Sequence, residues 1–312
     1  MRVVSSLREI EGPGAEHPPL AITLGNFDGV HRGHQLLLRQ LKDHTLPRGQ
    51  ALAAVTFTPH PRKILHVASE GFLLCSETQK RRWMAEAGVD WLVEIPFTRD
   101  LSTLGAQEFL DRHILIYPQL KEIYLGWDFA FGAHKSAGAE DVRARCEGMQ
   151  IKVEICPRFD VGNLHVSSTR IREALATGDV AIARELLGRP YTLEGLVVKG
   201  EGRGRRIGVP TANLRLDEDL MLPRRGVYVT ETASRGMIYR SVTNVGLNPT
   251  FQETNRPVVE TNILDFDGDI YGETIEVRFL ARLRDERRFA SVEELVTQIH
   301  LDREKARAHS AG

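Results

Sequence analysis

The stretch Ala21-Ile-Thr-Leu-Gly-Asn-Phe-Asp-Gly-Val-His-Arg-Gly-His34 decides the fold of the first half of the chain. Its first four residues form a short apolar run, which suits a strand buried on both faces of a parallel sheet. Gly25 ends this run, and from Gln35 to Lys42 leucines recur at helical spacing. The stretch therefore predicts a strand, a glycine-bearing loop and a helix.

A helix that follows such a loop turns unpaired backbone N–H groups toward the loop, which favours phosphate binding there. His31 and His34 lie where that phosphate would bind. The stretch is not a Walker loop, since it lacks Gly-Lys-Ser/Thr, and Gly25 and Gly29 are too far apart for the dinucleotide fingerprint. The alternative interpretation is two histidines packed at a helix start.

The His-x-Gly-His pattern resembles the signature of the adenylyl- and cytidylyltransferase superfamily. The longer string Gly25–His34 is similar to the version found in bacterial bifunctional riboflavin kinase/FAD synthetases. This resemblance implies that His31 and His34 contact the phosphates of a nucleoside triphosphate. It also implies that Gly25, Phe27 and Asp28 belong to the nucleotide- or flavin-binding site.

Composition indicates an ordinary globular chain, and the resemblance implies that its substrates are small molecules. The 312 residues suffice for two domains, and 42% hydrophobic with 27% charged residues is ordinary globular usage. A net charge of −1 without a basic block does not indicate a nucleic-acid partner. No apolar run is long enough for a membrane span, and the three scattered cysteines fit a reducing cytoplasm. We expect a cytoplasmic protein; its oligomeric state stays open, transient self-association included.

Strands alternate with helices from about residue 20 to residue 175, which predicts a doubly wound parallel sheet. The resemblance implies that this sheet belongs to a Rossmann-like nucleotidyltransferase domain. The expected strands are 21–24, 51–57, 91–95, 122–125 and 151–155. The expected helices are 35–42, 78–87, 106–115, 139–147, one that follows Ser167 or Ser168, and 179–187.

Two loops at the carboxyl ends of these strands carry further candidate binding residues. Thr58-Pro-His-Pro-Arg62 places His60 and Arg62 where open parallel sheets bind ligands, although a solvated surface turn would look the same. Gly126-Trp-Asp-Phe-Ala-Phe-Gly132 resembles a loop of the same family, which implies that Asp128 and Phe129 lie near the nucleotide and flavin. The alternative is a tight aromatic turn with its phenylalanines in the core.

A second anion site is predicted at His165-Val-Ser-Ser-Thr-Arg-Ile-Arg172. Ser167 or Ser168 can cap the following helix, and the hydroxyls of Ser167, Ser168 and Thr169 with the Arg170 guanidinium suit an anion. The stretch resembles the Ser-Ser-Thr-x-Ile-Arg signature of the superfamily. We expect both signatures on one crevice; an ordinary cap with exposed arginines is the alternative.

The pattern changes after Pro190, and we place a domain boundary between residues 187 and 188. Strands are predicted at 191–198, 226–232, 237–245, 258–264 and 274–280 with no helical pattern between them, which indicates an antiparallel β-barrel. The capping box Ser291-Val-Glu-Glu294 opens a terminal helix that runs to about Ala306.

The loop before the second predicted strand of this half is rich in glycine and arginine. Gly202, Arg203, Gly204 and Gly208 can cover a polyphosphate with backbone amides and positive charge. Thr211 and Asn213 are two residues apart, so both point the same way in an extended segment, and their oxygens suit Mg²⁺ that also touches ATP. A flexible basic loop without a ligand is the alternative.

Gly208-Val-Pro-Thr-Ala-Asn213 resembles the riboflavin kinase signature, as do Thr243–Phe251, Val259–Gly272 and Leu283–Phe289. The resemblance implies that Glu260 is the base for the flavin ribityl hydroxyl and that Arg284 lies in the binding site. A strand glutamate in an exposed ladder is the alternative for Glu260. The chain departs from the family pattern at Val209, Asn262 and Lys199.

The expected function is two-step flavin cofactor synthesis with ATP, Mg²⁺ and flavins. One rival is a nucleotidyltransferase for another substrate whose barrel only binds or regulates; a colourless product after ATP turnover would support it. The other rival is a non-enzymatic flavin sensor, which would bind flavin without consuming ATP.

Overall fold

The computed structural model describes residues 1–11, 17–65, 71–200, 202, 204, 207–246 and 257–309. Contacts divide the chain into two compact units, Met1–Ser69 with Glu77–Val166, and Glu70–Ser76 with Ser167–Gly312. None of the helices in the described ranges combines the length and the apolar character that a membrane crossing requires.

The described part of the first unit combines ten strands with six α-helices. They are β1 (Arg2–Val4), β2 (Leu20–Leu24), α1 (Arg32–Thr45), β3 (Ala51–Thr58), α2 (Pro61–Ile64), α3 (Glu77–Glu86), β4 (Trp91–Pro96), α4 (Arg99–Thr103), α5 (Ala106–Phe109), β5 (Leu120–Gly126), β6 (Ala130–Phe131), β7 (Ala137–Gly138), α6 (Ala139–Cys146), β8 (Lys152–Cys156), β9 (Asp160–Val161) and β10 (Leu164–His165).

A six-stranded parallel sheet with the order β1-β4-β3-β2-β5-β8 forms the centre of this unit. Every residue of β2 is buried, Thr23 included, as its largely apolar run predicts. One hydrophobic cluster, with Ile22, Val55 and Ile123, covers one face, and another, with Leu38, Ala54 and Met84, covers the other. The predicted doubly wound sheet is confirmed.

The strand order changes direction at β2. From β2 the chain adds β3 and β4 on one side and then returns to add β5 and β8 on the other. Open α/β sheets bind ligands outside the carboxyl ends of the strands at such a switch point. The loop after β2, which holds the predicted phosphate site, lies at this point.

The second unit contains two helices, a six-stranded barrel and a terminal helix. Its elements are α7 (Ser168–Thr177), α8 (Val180–Leu187), β11 (Tyr191–Val198), β12 (Ala212–Arg215), β13 (Gly226–Ser234), β14 (Met237–Gly246), β15 (Val258–Ile263), β16 (Thr274–Arg284) and α9 (Val292–Ala308).

The barrel is closed in the order β11-β12-β15-β14-β13-β16, and all of its strand pairs are antiparallel. Strand residues alternate between its two faces. On one face of the strands the rings of Tyr191 and Tyr228 both contact the ring of Phe279. The opposite face contributes Val227, Val229 and Val242 to a cluster with Ala306 of α9. The predicted barrel with a terminal helix is therefore confirmed.

Buried hydroxyls line part of the barrel interior. They belong to Thr230, Thr232, Ser241, Thr243 and Thr261, and they are linked by hydrogen bonds of 2.7–3.4 Å. Because each hydroxyl can both donate and accept, the chain of bonds satisfies polar atoms that would otherwise be costly to bury.

The contacts place α7 and α8 with the barrel, whereas the boundary predicted from the sequence follows Leu187. The Arg224 N–H donates to the Leu175 carbonyl at 2.8 Å. Leu73 forms an isolated bridge to Leu220, and the Arg172 Nε donates to the Phe72 carbonyl at 2.7 Å. The segment around Leu73 thus belongs to the second unit although it lies far away in sequence.

Candidate active sites

The first candidate site begins at the N-terminus of α1, which His31 caps. The His31 Nδ1 accepts a hydrogen bond from the backbone N–H of His34 at 3.4 Å. Since an accepting nitrogen carries no proton, this bond leaves the His31 proton on Nε2, where it can be donated. A Cβ added to Gly33 would lie 3.3 Å from the His31 ring, so the glycine admits the imidazole over the first turn.

The two histidines form a stacked pair in this loop. Their ring centroids are 3.6 Å apart with an interplanar angle of 15°, and Phe27 contacts the His34 ring edge-on at 5.1 Å. His31 is buried with 7% exposure, and Phe27 and Asp28 are buried as well. Phe27 and Val30 have positive φ angles of 50° and 38°. Such backbone is uncommon outside glycine and is concentrated at functional sites.

The predicted residues after β3 are also placed at a helix start. His60 caps α2, with its Nδ1 accepting from the Arg62 N–H at 3.2 Å, and its side chain is buried. The Arg62 side chain is exposed. The cap repeats the arrangement of His31, so this imidazole also keeps its proton on Nε2.

The loop after β5 contains Asp128 and Phe129. Asp128 is exposed. Its Oδ1 would lie 3.3 Å from a Cβ added to Gly126, two residues earlier in the chain. Phe129 is partly buried and stacks on Phe131 at 5.2 Å, while Phe131 packs into the core. The exposed Asp128 is compatible with a binding role, whereas the stacked Phe129 and Phe131 fit a tight aromatic turn.

These three loops share one edge of the sheet. β3, β2 and β5 are neighbours and run parallel, so the loops that hold His60, His31 and Asp128 all leave the same edge. The first unit therefore places the His31 and His60 imidazoles and the N–H groups at the start of α1 at one edge of the sheet, and these donors suit phosphates.

The Ser167–Arg170 stretch opens α7 and belongs to the second unit. Ser167, rather than Ser168, caps the helix, since its hydroxyl accepts from the Arg170 N–H at 3.2 Å. Thr169 and Arg170 are exposed, and the Arg170 guanidinium pairs with Glu173 at 3.0 Å. The anion role of these residues and the shared crevice with His31 stay predictions.

The second candidate site lies on the outward face of the barrel, where three polar residues stand in register on neighbouring strands. Glu260 of β15 is directly opposite Asn213 of β12 on one side and Asn244 of β14 on the other. Directly opposed residues have Cβ atoms about 4.5–5.5 Å apart, so the carboxylate is flanked by two amides. The Asn244 Nδ2 also donates to Glu286 at 3.4 Å.

The glycine-rich loop lies against the two predicted metal ligands. A Cβ added to Gly204 would come within 3.3 Å of the Thr211 Oγ1, and one added to Gly200 would collide with the Asn213 amide. At Gly204 the same Cβ would collide with the Val209 carbonyl oxygen, so a residue with a side chain would shift the backbone there. Gly202 and Gly208 are exposed, with φ angles of 69° and 77°. Arg203 lies outside the described residues.

The donor set fits Mg²⁺. Thr211 and Asn213 flank the buried Ala212, and both are partly exposed. A hydroxyl, an amide carbonyl and the nearby Glu260 carboxylate are hard oxygen donors. The two glycines hold backbone, rather than bulky side chains, beside these oxygens.

The structure places Arg284 against α9. Its guanidinium forms a two-pronged ion pair with Asp302, with the Nη2–Oδ2 distance at 2.7 Å and the Nε–Oδ2 distance at 3.0 Å. Asp302 is 1% exposed and also accepts from Gln298 at 2.8 Å. Arg284 thus fixes the terminal helix, and its predicted binding role stays a prediction.

The sequence interpretation did not select Asn244, and it named Asn262 only as a departure from the family pattern. Strand pairing brings Asn244 opposite Glu260, a relation that residue spacing alone does not reveal. Asn262 follows Glu260 by two residues on the same strand and is buried with 6% exposure.

Comparison with known proteins finds two family models in this chain. The model described as FAD synthetase matches residues 14–170, and the one described as riboflavin kinase matches residues 187–310. The bifunctional riboflavin kinase/FMN adenylyltransferase of Listeria monocytogenes is 35% identical over 291 residues, which cover 93% of this chain and 92% of the relative. The protein of the same name from Pseudomonas fluorescens is 34% identical and covers 100% of this chain and 98% of its own.

A solved structure extends the similarity to the fold. The crystal structure of a protein named as a macrolide-efflux protein, from Streptococcus pneumoniae, is 34% identical to the chain, with a TM-score of 0.87. The match covers 99% of both chains.

Proposed function

The chain belongs to the bifunctional riboflavin kinase/FMN adenylyltransferase family, and we propose that each of its two candidate sites carries one of the two reactions. The protein transfers the γ-phosphoryl group of ATP to riboflavin, which gives FMN and ADP. It then transfers AMP from a second ATP to FMN, which gives FAD and pyrophosphate. We assign the kinase reaction to the barrel site and the adenylyl transfer to the site at the sheet edge.

In the kinase reaction Glu260 accepts the proton of the terminal ribityl hydroxyl as that oxygen bonds to phosphorus. Asn213 and Asn244 flank the carboxylate in register, so their amides can hold it beside the hydroxyl. Phosphoryl transfer has a loose transition state, and positioning and charge stabilisation supply most of the catalysis.

Thr211 and Asn213 would hold Mg²⁺, which supplies charge neutralisation at the ATP phosphates when bound. The approach of Gly204 to Thr211 supports this assignment, because backbone N–H groups of the loop can then lie near the same phosphates.

In the adenylyl transfer a phosphate oxygen of FMN attacks the α-phosphorus of ATP, and pyrophosphate leaves. This oxygen is already anionic, so the step needs no base. His31 and His34 would donate hydrogen bonds to the reacting phosphates, together with the N–H groups at the start of α1. We also propose an anion-binding role for the Ser167–Arg170 stretch at the start of α7.

The observation that carries the proposal is the register row Asn213–Glu260–Asn244 beside a loop whose glycines approach the metal ligands. The similarity of the relatives extends through both halves of the chain. The Streptococcus pneumoniae protein is named for macrolide efflux. None of the contacts described above supports that activity as a second function of this chain.

The test is to incubate the full-length protein with riboflavin, ATP and Mg²⁺ and to separate the flavins by chromatography. We expect FMN and then FAD. Glu260→Gln keeps the side-chain size but cannot take a proton, so FMN formation should fall by about 10²-fold, the lower end of general-base effects. FAD formation from added FMN should survive.

Glu231→Gln is the matched control. Glu231 is also a glutamate on a barrel strand, and it pairs with Arg240 at 3.4 Å, away from the register row. This variant should make FMN at the normal rate. Normal FMN formation by Glu260→Gln would show that Glu260 is a structural strand residue, and no FMN from the wild-type protein would refute the kinase assignment itself.

A further inference from the structure

Asn262 has a side chain whose orientation is fixed by a proline carbonyl. Its Nδ2 lies 2.7 Å from the carbonyl oxygen of Pro210, the residue that precedes Thr211. A carbonyl oxygen only accepts, so the amide must present its N–H to Pro210. The Oδ1 of the same amide must then face the other way.

The Oδ1 of Asn262 is buried, and no residue in the described ranges donates a hydrogen bond to it. Buried polar atoms in native proteins nearly always have a partner, and an unpaired one is costly. A carbonyl oxygen in this state favours a ligand that brings a hydrogen-bond donor.

The substrates of the proposed kinase reaction differ in this respect. The triphosphate of ATP offers only acceptor oxygens, which the Oδ1 would repel. The polyol side chain of riboflavin carries several hydroxyl groups, each of which can donate. ATP has donors as well, in its ribose hydroxyls and its adenine amino group, but Asn262 lies beside Pro210 and Thr211, where the proposed metal would hold the triphosphate. The donor that reaches the Oδ1 would therefore come from the flavin.

The position of Asn262 agrees with the path of that side chain. Glu260 and Asn262 are alternate residues of β15, so they share one face and lie roughly 7 Å apart along the strand. A polyol chain whose terminal hydroxyl reaches Glu260 can place an inner hydroxyl beside Asn262. The hydrogen bond to Pro210 restrains the Asn262 amide next to Thr211, the proposed metal ligand that follows Pro210 in the chain.

We propose that the Asn262 Oδ1 accepts a hydrogen bond from an inner hydroxyl of the riboflavin side chain and so aligns the terminal hydroxyl with Glu260. The inference rests on the proposed kinase reaction. It assigns Asn262 a part in recognising the polyol of the flavin, as distinct from its ring system.

The test compares riboflavin with lumiflavin, which has the same ring system but a methyl group in place of the polyol. Both flavins are titrated into the full-length protein, and binding is followed by flavin fluorescence. Asn262→Leu has a similar size and no polar atoms. It should weaken riboflavin binding about tenfold, as loss of one buried hydrogen bond does, while lumiflavin binding changes less than about twofold.

Asn262→His is the rescue variant, since one ring nitrogen can donate to Pro210 while the other accepts. It should keep riboflavin binding within about threefold of wild type. If Asn262→Leu weakens both flavins equally, or weakens neither, the proposal is wrong. If Asn262→Leu does not fold, equal affinity of the wild-type protein for riboflavin and lumiflavin would overturn it instead.

These outcomes are separate from failure of the proposed function. The titration measures equilibrium binding without ATP. A protein that discriminates riboflavin from lumiflavin through Asn262 but makes no FMN would contradict the kinase reaction and leave the binding role intact.

Discussion

Substitution can separate two roles of His31, the cap of α1 that the structure shows and the phosphate contact that we propose. The cap is the bond from the His34 N–H to the His31 Nδ1, whose length of 3.4 Å marks it as a weak member of its class. A cap typically stabilises by about 0.5–2 kcal/mol, so we place this one near the lower end. Asparagine is a good N-cap residue, which makes His31→Asn a variant that keeps the cap and removes the imidazole.

His31→Asn should therefore unfold in urea with a free energy within about 1 kcal/mol of wild type. Its rate of FAD formation from FMN and ATP should fall by about 10²–10³-fold, since it loses a donor at the reacting phosphates. Riboflavin phosphorylation by the same protein serves as an internal control and should be unchanged. His31→Ala should show the same loss of rate with a further loss of stability, because the cap is gone.

Thr98→Ala is the matched control for the cap. Thr98 caps α4 in the same unit through a 3.1 Å bond from the Leu101 N–H, and it lies outside the histidine loop. This variant should lose stability and keep the normal rate of FAD formation. A full rate in His31→Asn would refute the phosphate role and leave His31 with capping and packing alone.

Three further predictions concern stability. Asp302 is 1% exposed, and Asp302→Asn removes the charge that pairs with Arg284 there, so the free energy of unfolding in urea should fall by about 3 kcal/mol. A change below about 0.5 kcal/mol would contradict the structural role of the pair. A fragment that begins at Ser167 should unfold at higher urea concentration than one that begins at Gly188, because only the first contains the contact between Leu175 and Arg224; equal midpoints would show that α7 and α8 add nothing to the barrel. Burial raises the pKa of Tyr117 to about 12, so the unfolded chain loses this proton at lower pH than the folded protein does. The free energy of unfolding should therefore fall between about pH 10 and pH 12, by up to about 3 kcal/mol. The difference in free energy of unfolding between wild type and Tyr117→Phe should shrink over that range, and a constant difference would exclude the effect.

The local features of the first unit could be predicted from the sequence because they depend on neighbouring residues. The apolar run of β2, the glycine-bearing loop and the leucine spacing of α1 all occur within 25 consecutive positions, 21–45, of the chain. The helix starts at Arg32, three residues before the predicted start, because His31 supplies the cap. A histidine cap is not among the usual capping residues, so the pattern gave no signal for it.

The relations between distant segments could not be predicted in this way. β12 has only four residues, and a pattern of that length does not distinguish a strand from an extended loop. Its pairing with β15 is nevertheless what brings Asn213 opposite Glu260. The pairing of Leu73 with Leu220 is a contact between segments almost 150 residues apart, and nothing in either segment indicates the other.

Arg284 illustrates how a matching motif can leave the role of a residue open. An arginine within a kinase-like stretch suggests phosphate binding, but the structure commits its Nε and Nη2 atoms to the buried Asp302. A guanidinium that is already neutralised by a carboxylate attracts a second anion weakly, and breaking the buried pair would cost more than one surface phosphate contact returns. In the strand pairing Arg284 is opposite Val227, and Val227 is opposite Asn244. The ion pair therefore holds α9 beside the strands next to the register row Asn213–Glu260–Asn244. The structure thus shows Arg284 anchoring this helix, and its binding role stays a prediction. If anchoring is its whole contribution to the kinase site, Asp302→Asn should lower riboflavin phosphorylation only to the extent that it loosens that support.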